Sequence, residues 1–180
     1  MGFRERIFGR KDVASRRVVA LIECHLNQNA RDPGAARYPA VNDSLLEALR
    51  KQDAGLLQIP CPEMFCLGLP RTRPPGTSIR QNLDPGKARY LAVQVADRIE
   101  EYERNGMRVV GILGGDVSSP GCAVHPTESG LDPERSGIFM LELHGVLASR
   151  GLEIPFRGIR ESDPEAFAED LAWVERALGS

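Results

Sequence analysis

The residues of this chain with the most chemistry to offer are four thiols, Cys24, Cys61, Cys66 and Cys122. A thiolate is a soft ligand that suits zinc, copper(I) and iron–sulfur clusters. Closed zinc sites usually carry paired spacings such as C-x2-C, and ferredoxins a tight run of cysteines. Neither pattern is present. Isolated thiolates fit another arrangement, in which Cys24, Cys61 and Cys122 bind three irons of a 4Fe-4S cluster. The fourth iron is then open as a Lewis acid. The alternatives are a zinc site completed by Cys66 or a histidine, cysteines packed as small hydrophobes, and a metal-free module. In the last case Cys61 would be a nucleophile beside Glu63, without a clear His–Asp partner.

The elements that must position these thiols follow from apolar runs and their punctuation. Arg17 to Cys24 (RVVALIEC) is short and apolar, as a buried parallel strand is. Residues 25–41 are polar and contain Pro and Gly, which predicts a loop. Asn42 or Asp43 caps a helix carrying Leu45, Leu46 and Leu49. Gly55 to Ile59 predicts a second strand, stopped at Pro60, and residues 61–84 a long loop. A helix is expected over 85–105, a third strand from Arg108 (RVVGILGG) and a further loop over 116–133. Then come a helix over 136–150, a short strand over 152–159 with Pro155 favouring an edge, and a final helix capped by Ser162 or Asp163.

This alternation predicts a single Rossmann-like α/β domain over residues 17–180, with a mainly parallel, four-stranded sheet flanked by helices. Residues 1–16 read as a basic N-terminal arm. Ligands of such sheets sit beyond the carboxyl ends of the strands. Cys24 ends the first strand, Cys61 follows the second, and Cys122 lies in the loop after the third. Thiols far apart in sequence are therefore expected to converge.

The formal charge is −2 over 180 residues, with both signs interspersed. That is no footprint for a nucleic acid polymer or an acidic membrane. No apolar run approaches a membrane span of roughly 20 residues, and the arm lacks the apolar stretch of a signal peptide. A cytoplasmic monomer or homodimer acting on a small molecule is expected, in a compartment where thiols stay reduced.

Three motifs then carry a resemblance, spread over roughly residues 17–130: Cys24 with Arg31 seven positions on, Cys61-Pro62-Glu63, and Ser119-Pro120-Gly121-Cys122. They resemble, in the same order, the motifs of the thiouracil desulfidase family and its uncharacterised relatives. The chain departs in reading Cys24-His25-Leu26-Asn27 where that family usually has Cys-Leu-Leu-Gly. It has Cys66-Leu67-Gly68 where a Gly-Gly pair is usual. The resemblance implies a three-cysteine 4Fe-4S cluster and hydrolytic, non-redox removal of sulfur from a thiolated base. It also implies proton transfer or substrate anchoring by Glu63, and a hydrogen bond from Ser119 to substrate or to the departing sulfur. A carboxyl near an apolar, anionic cluster is expected to have a raised pKa, which suits an acid/base group. The bland readings are a solvated loop carboxylate and a Ser-Pro turn.

Cys66 beside Phe65 and Leu67 reads as a packed apolar cysteine or as a fourth ligand. His25 and His125 flank the cysteines, but adjacent side chains of an extended backbone point to opposite sides. Arg31, Arg71 and Arg73 are candidates for substrate or anion contacts, though loop arginines are commonly solvated. Gly111 to Gly115 lacks the full phosphate-turn pattern, and Trp173 reads as core.

Overall fold

The structure is a computed structural model that describes residues 12–178. The expected arm falls mostly outside them. Strands β1 (Arg17–Ile22), β2 (Gly55–Ile59), β3 (Arg108–Gly114) and β6 (Phe156–Gly158) form one all-parallel sheet in the order β2-β1-β3-β6. A two-stranded ribbon, β4 (Pro126–Thr127) with β5 (Gly130–Leu131), decorates the loop after β3. The helices are α1 (Glu23–Leu26), α2 (Asp43–Arg50), α3 (Pro62–Leu67), α4 (Ile79–Asn82), α5 (Pro85–Arg104), α6 (Ile138–Ser149) and α7 (Pro164–Leu178).

The apolar run of β1 is uniform because both of its faces are covered. Val18, Ala20 and Ile22 pack among residues of α5 and α6, while Val19 and Leu21 meet residues of α2 and α7. Burying each such large side chain contributes about 1.5–3 kcal/mol. The caps match their residue types. Asn42 Oδ1 accepts from Leu45 N–H at 3.1 Å, and Asp84 Oδ1 from Gly86 and Lys87 N–H at 2.8 and 3.1 Å. Asp163 caps α7, accepting from Glu165 and Ala166 N–H, while the Ser162 hydroxyl goes instead to Asp116.

Three boundaries differ from expectation. Cys24 does not end a strand. β1 stops at Ile22, opposite Ile59, and the chain turns into α1. The stretch 61–84 is not one loop but contains α3 and α4. Pro62 stands at the start of α3, where a missing N–H costs nothing, so the residue that reads as a loop marker begins a helix. The fourth strand is shorter than expected, because only Phe156–Gly158 pair with β3; it is an edge strand, as Pro155 suggests. The connection from β1 leads to one side and β3 returns on the other. The crevice between the carboxyl ends of β1 and β3 is therefore the switch point where α/β sheets bind ligands.

Candidate metal centre

Three unrelated pieces of local structure bring the thiols together. Cys24 sits in the single turn of α1, closed by the Asn27 N–H on the Glu23 carbonyl at 2.8 Å. The Gln28 side-chain amide donates to the Cys24 carbonyl at 2.7 Å. Cys61 stands at the N-cap of α3, and its N–H donates to the Glu23 carboxylate at 2.9 Å, which ties the ends of β1 and β2. Cys122 rides a tight loop in which Gly115 N–H donates to the Cys122 carbonyl at 2.9 Å. The first turn of α6 donates Ile138 and Phe139 N–H to the Pro120 and Gly121 carbonyls, both at 3.1 Å, so the loop satisfies amides the helix leaves unpaired. Glycine permits this approach: a Cβ on Gly115 would lie 2.7 Å from the Cys122 sulfur, and one on Gly137 2.4 Å from the Cys122 nitrogen.

Cys24, Cys61 and Cys122 thus line one cavity of ≈ 230 Å³, and all three are buried and free of disulfides. Burial pushes the Cys24 thiol up to about 12, raises Cys61, and carries Cys122 well above the ordinary value. Without a metal these are neutral thiols at pH 7, and a metal must displace their protons. Arg31 beside Cys24 and Arg71 beside Cys61 work against that upward push. Both arginines line the cavity, and the Nε of each is buried with no hydrogen-bond acceptor. A buried unpaired N–H costs about 1–3 kcal/mol. Soft thiols flanked by spare cationic donors are a donor set that fits a thiolate-ligated, electron-rich group. Among the described residues no group of three or more His, Cys, Asp or Glu side chains is arranged to hold a single metal ion. Ligands of a polynuclear cluster bind different irons and need not meet at one point.

Glu63 and Ser119 share the wall of the same cavity. The Ser119 hydroxyl donates to Glu63 Oε1 at 2.9 Å and lies 3.1 Å from the Cys122 sulfur, and its oxygen accepts from Cys122 N–H at 3.1 Å. Gly121 N–H reaches Glu63 Oε1 at 3.4 Å, while Glu63 Oε2 has a looser contact, 3.7 Å from Arg71 Nε. The solvated-carboxylate reading does not describe Glu63, which is 9% exposed.

The remaining candidates separate. Cys66 is half-buried on α3 and does not line the cavity. His25 is fully buried and turned elsewhere: Nε2 donates to the Gly114 carbonyl and Nδ1 faces Glu161, both at 2.9 Å. His125 bonds the Val117 carbonyl through Nε2 at 3.0 Å. Arg73 is exposed, as a solvated loop arginine should be. Gly111 to Gly114 lie within β3, and Trp173 packs against the core below the Arg157 guanidinium.

Sequence reasoning missed Glu161. It lies after β6, in a segment with no motif, and its side chain is wholly buried. Oε1 accepts from Asn42 Nδ2 at 2.7 Å and faces His25 Nδ1, while Oε2 accepts from Arg31. Burial alone would raise its pKa, but His25, Arg31 and Asn42 outweigh burial and hold it below the usual carboxylate range. Glu161 thereby anchors the arginine that stands beside Cys24. Compared with family models, curated proteins and solved structures, the chain matches none. Among the described residues no helix is long and apolar enough to cross a membrane.

Proposed function

We propose that this chain is a desulfidase that converts C=S to C=O in a small thiolated nucleobase or similar thioamide, by hydrolysis and without net electron transfer. Cys24, Cys61 and Cys122 would hold its 4Fe-4S cluster. The observation that carries the reading is the presence of a hydrogen-bonded carboxylate–hydroxyl pair, Glu63 and Ser119, in the wall of the three-thiol cavity. The order of the three cysteine motifs, similar to that of the thiouracil desulfidase family, supports it. When bound, the cluster supplies a Lewis acid for sulfur.

The protein groups divide the remaining work. Glu63 Oε1 is engaged by Ser119 and Gly121, which leaves Oε2 as the freer atom. Oε2 takes the proton from the water that attacks the thiocarbonyl carbon; as the adduct collapses to C=O the C–S bond breaks, that proton leaves with the sulfur as hydrosulfide, and the remaining hydroxyl proton passes to solvent. The Ser119 hydroxyl donates its one proton to the carboxylate and so fixes it, while its oxygen lies 3.1 Å from the Cys122 sulfur. At ≈ 230 Å³ the cavity lies below the roughly 300–1,000 Å³ of pockets for drug-sized ligands, which supports a small reacting group such as a single thiolated ring.

The test is sulfide release from 2-thiouracil, 4-thiouracil and simple thioamides by anaerobically reconstituted protein. Release by the wild type, falling about a hundredfold or more in Glu63→Gln, is the expected result. A loaded wild-type protein that releases no sulfide from any of them contradicts the proposal.

A further inference from the structure

Arg71 is 1% exposed, and among the described residues no acidic group neutralises it through a direct hydrogen bond. Its backbone has φ +49°, a left-handed conformation that costs a non-glycine residue about 1–2 kcal/mol. Such a conformation persists where contacts over-determine it. Here the backbone closes a turn, Arg71 N–H donating to the Gly68 carbonyl at 3.1 Å, and the side chain adds the contacts that reach the cavity. Nη2 donates to the Cys61 sulfur at 3.3 Å and to the Ala30 carbonyl at 2.6 Å. Nη1 donates to the Leu69 carbonyl at 2.9 Å, and Nε stands 3.7 Å from Glu63 Oε2. One guanidinium therefore touches a cavity thiol, the cavity carboxylate, the segment after β1 and the turn after α3.

We propose that Arg71 is a positioning residue of this site, a cationic clamp that orients the Cys61 sulfur and Glu63 together. A lysine cannot reproduce it. A lysine ammonium is a point charge, whereas the guanidinium fork meets the sulfur, a carbonyl and the carboxylate from one plane. Nε is the donor left without an acceptor, and it is the one nearest Glu63. The clamp therefore holds Glu63 at ion-pair distance without consuming an oxygen in a hydrogen bond, which leaves Oε2 available for a proton. The proposal concerns the protein's own geometry and rests on the desulfidase reading only for its consequence on a loaded cluster.

The test is a double-mutant cycle on metal-free protein under reducing conditions. Urea unfolding is measured for the wild type, Arg71→Lys, Cys61→Ala and the double variant, with exposed Arg50→Lys on α2 as the control. A clamp makes the costs at 71 and 61 non-additive, by at least about fivefold in the unfolding constant, while position 50 adds independently. Additive costs at 71 and 61 overturn the proposal. If the variants at 71 do not fold, wild type and Cys61→Ala suffice. The guanidinium protons of Arg71, read by nitrogen-edited NMR, exchange slowly in the wild type and faster in Cys61→Ala, and equal exchange overturns the proposal. In loaded protein Arg71→Lys shifts the cluster's midpoint potential and Arg50→Lys does not; equal potentials in Arg71→Lys and wild type overturn the proposal. A wild type that takes up no iron sinks the cluster reading, while the unfolding cycle still decides the clamp.

Discussion

Two buried polar networks flank the three thiols, and they are built on opposite terms. Around Glu161 every carboxylate oxygen is satisfied: Oε1 by His25 and Asn42, Oε2 by Arg31. Around Glu63 the bonding is incomplete. Oε2 has only a loose ionic neighbour, and the Arg71 Nε has no acceptor. A closed network of this kind fixes a scaffold, since breaking it strands charges away from water. An open one holds polar capacity in reserve for a ligand. The difference separates a buried glutamate whose oxygens are all bound into the scaffold from one that keeps a freer oxygen at the cavity, although both stand among arginines near cysteines. Arg31 belongs to both sides: its Nη2 is consumed by Glu161, yet its Nε is unpaired at the cavity.

Substitutions should break the two networks differently. Glu161→Ala removes the hub and strands His25, Arg31 and Asn42, so it should cost about 3–5 kcal/mol in unfolding free energy. Urea denaturation measures this, and a loss below about 1 kcal/mol would show that the network is not the scaffold. Glu63→Gln should cost the fold only about 1 kcal/mol while abolishing most sulfide release, the reverse of Glu161→Ala. A pH titration sharpens the contrast. Glu161 is held below its ordinary pKa, so the stability it adds is present in full above the unfolded-state value of roughly 4.3 and is lost as pH falls through the lower folded value. Stability of Glu161→Gln should therefore fall less steeply than wild type below about pH 4.3. The smallest effect concerns the thiols. With burial raising Cys24 to about 12 and Cys122 well above normal, iodoacetamide at pH 8 should label half-buried Cys66 first and these two last in metal-free protein. Labelling resolved by peptide mass spectrometry reads the order directly.

Much of the architecture was legible because it depends on local patterns. Uniform apolar runs mark β1 and β3, Asn42 marks a helix start, and the alternation of elements implies a parallel sheet. The convergence of Cys24, Cys61 and Cys122 followed from strand ends, even though Cys24 lies on a helical turn and not on the strand itself. The helix after Cys61 was hidden because proline signals a break as readily as a first turn. Glu161 was invisible for a different reason. Its meaning comes from partners at positions 25, 31 and 42, more than a hundred residues away, and no spacing announces such a contact. Arg71 was noticed as a loop arginine, but only the folded chain shows it buried against Cys61 and Glu63.

Whether Cys24, Cys61 and Cys122 hold an iron–sulfur cluster is decided by anaerobic purification with iron and sulfide analysis and a visible spectrum. The expected result is a brown protein with about four irons and four sulfides per chain, lost in Cys24→Ala, Cys61→Ala and Cys122→Ala but retained in Cys66→Ala. A colourless wild type that takes up neither iron nor sulfide on reconstitution, or a cluster that survives removal of any of the three cavity cysteines, contradicts it.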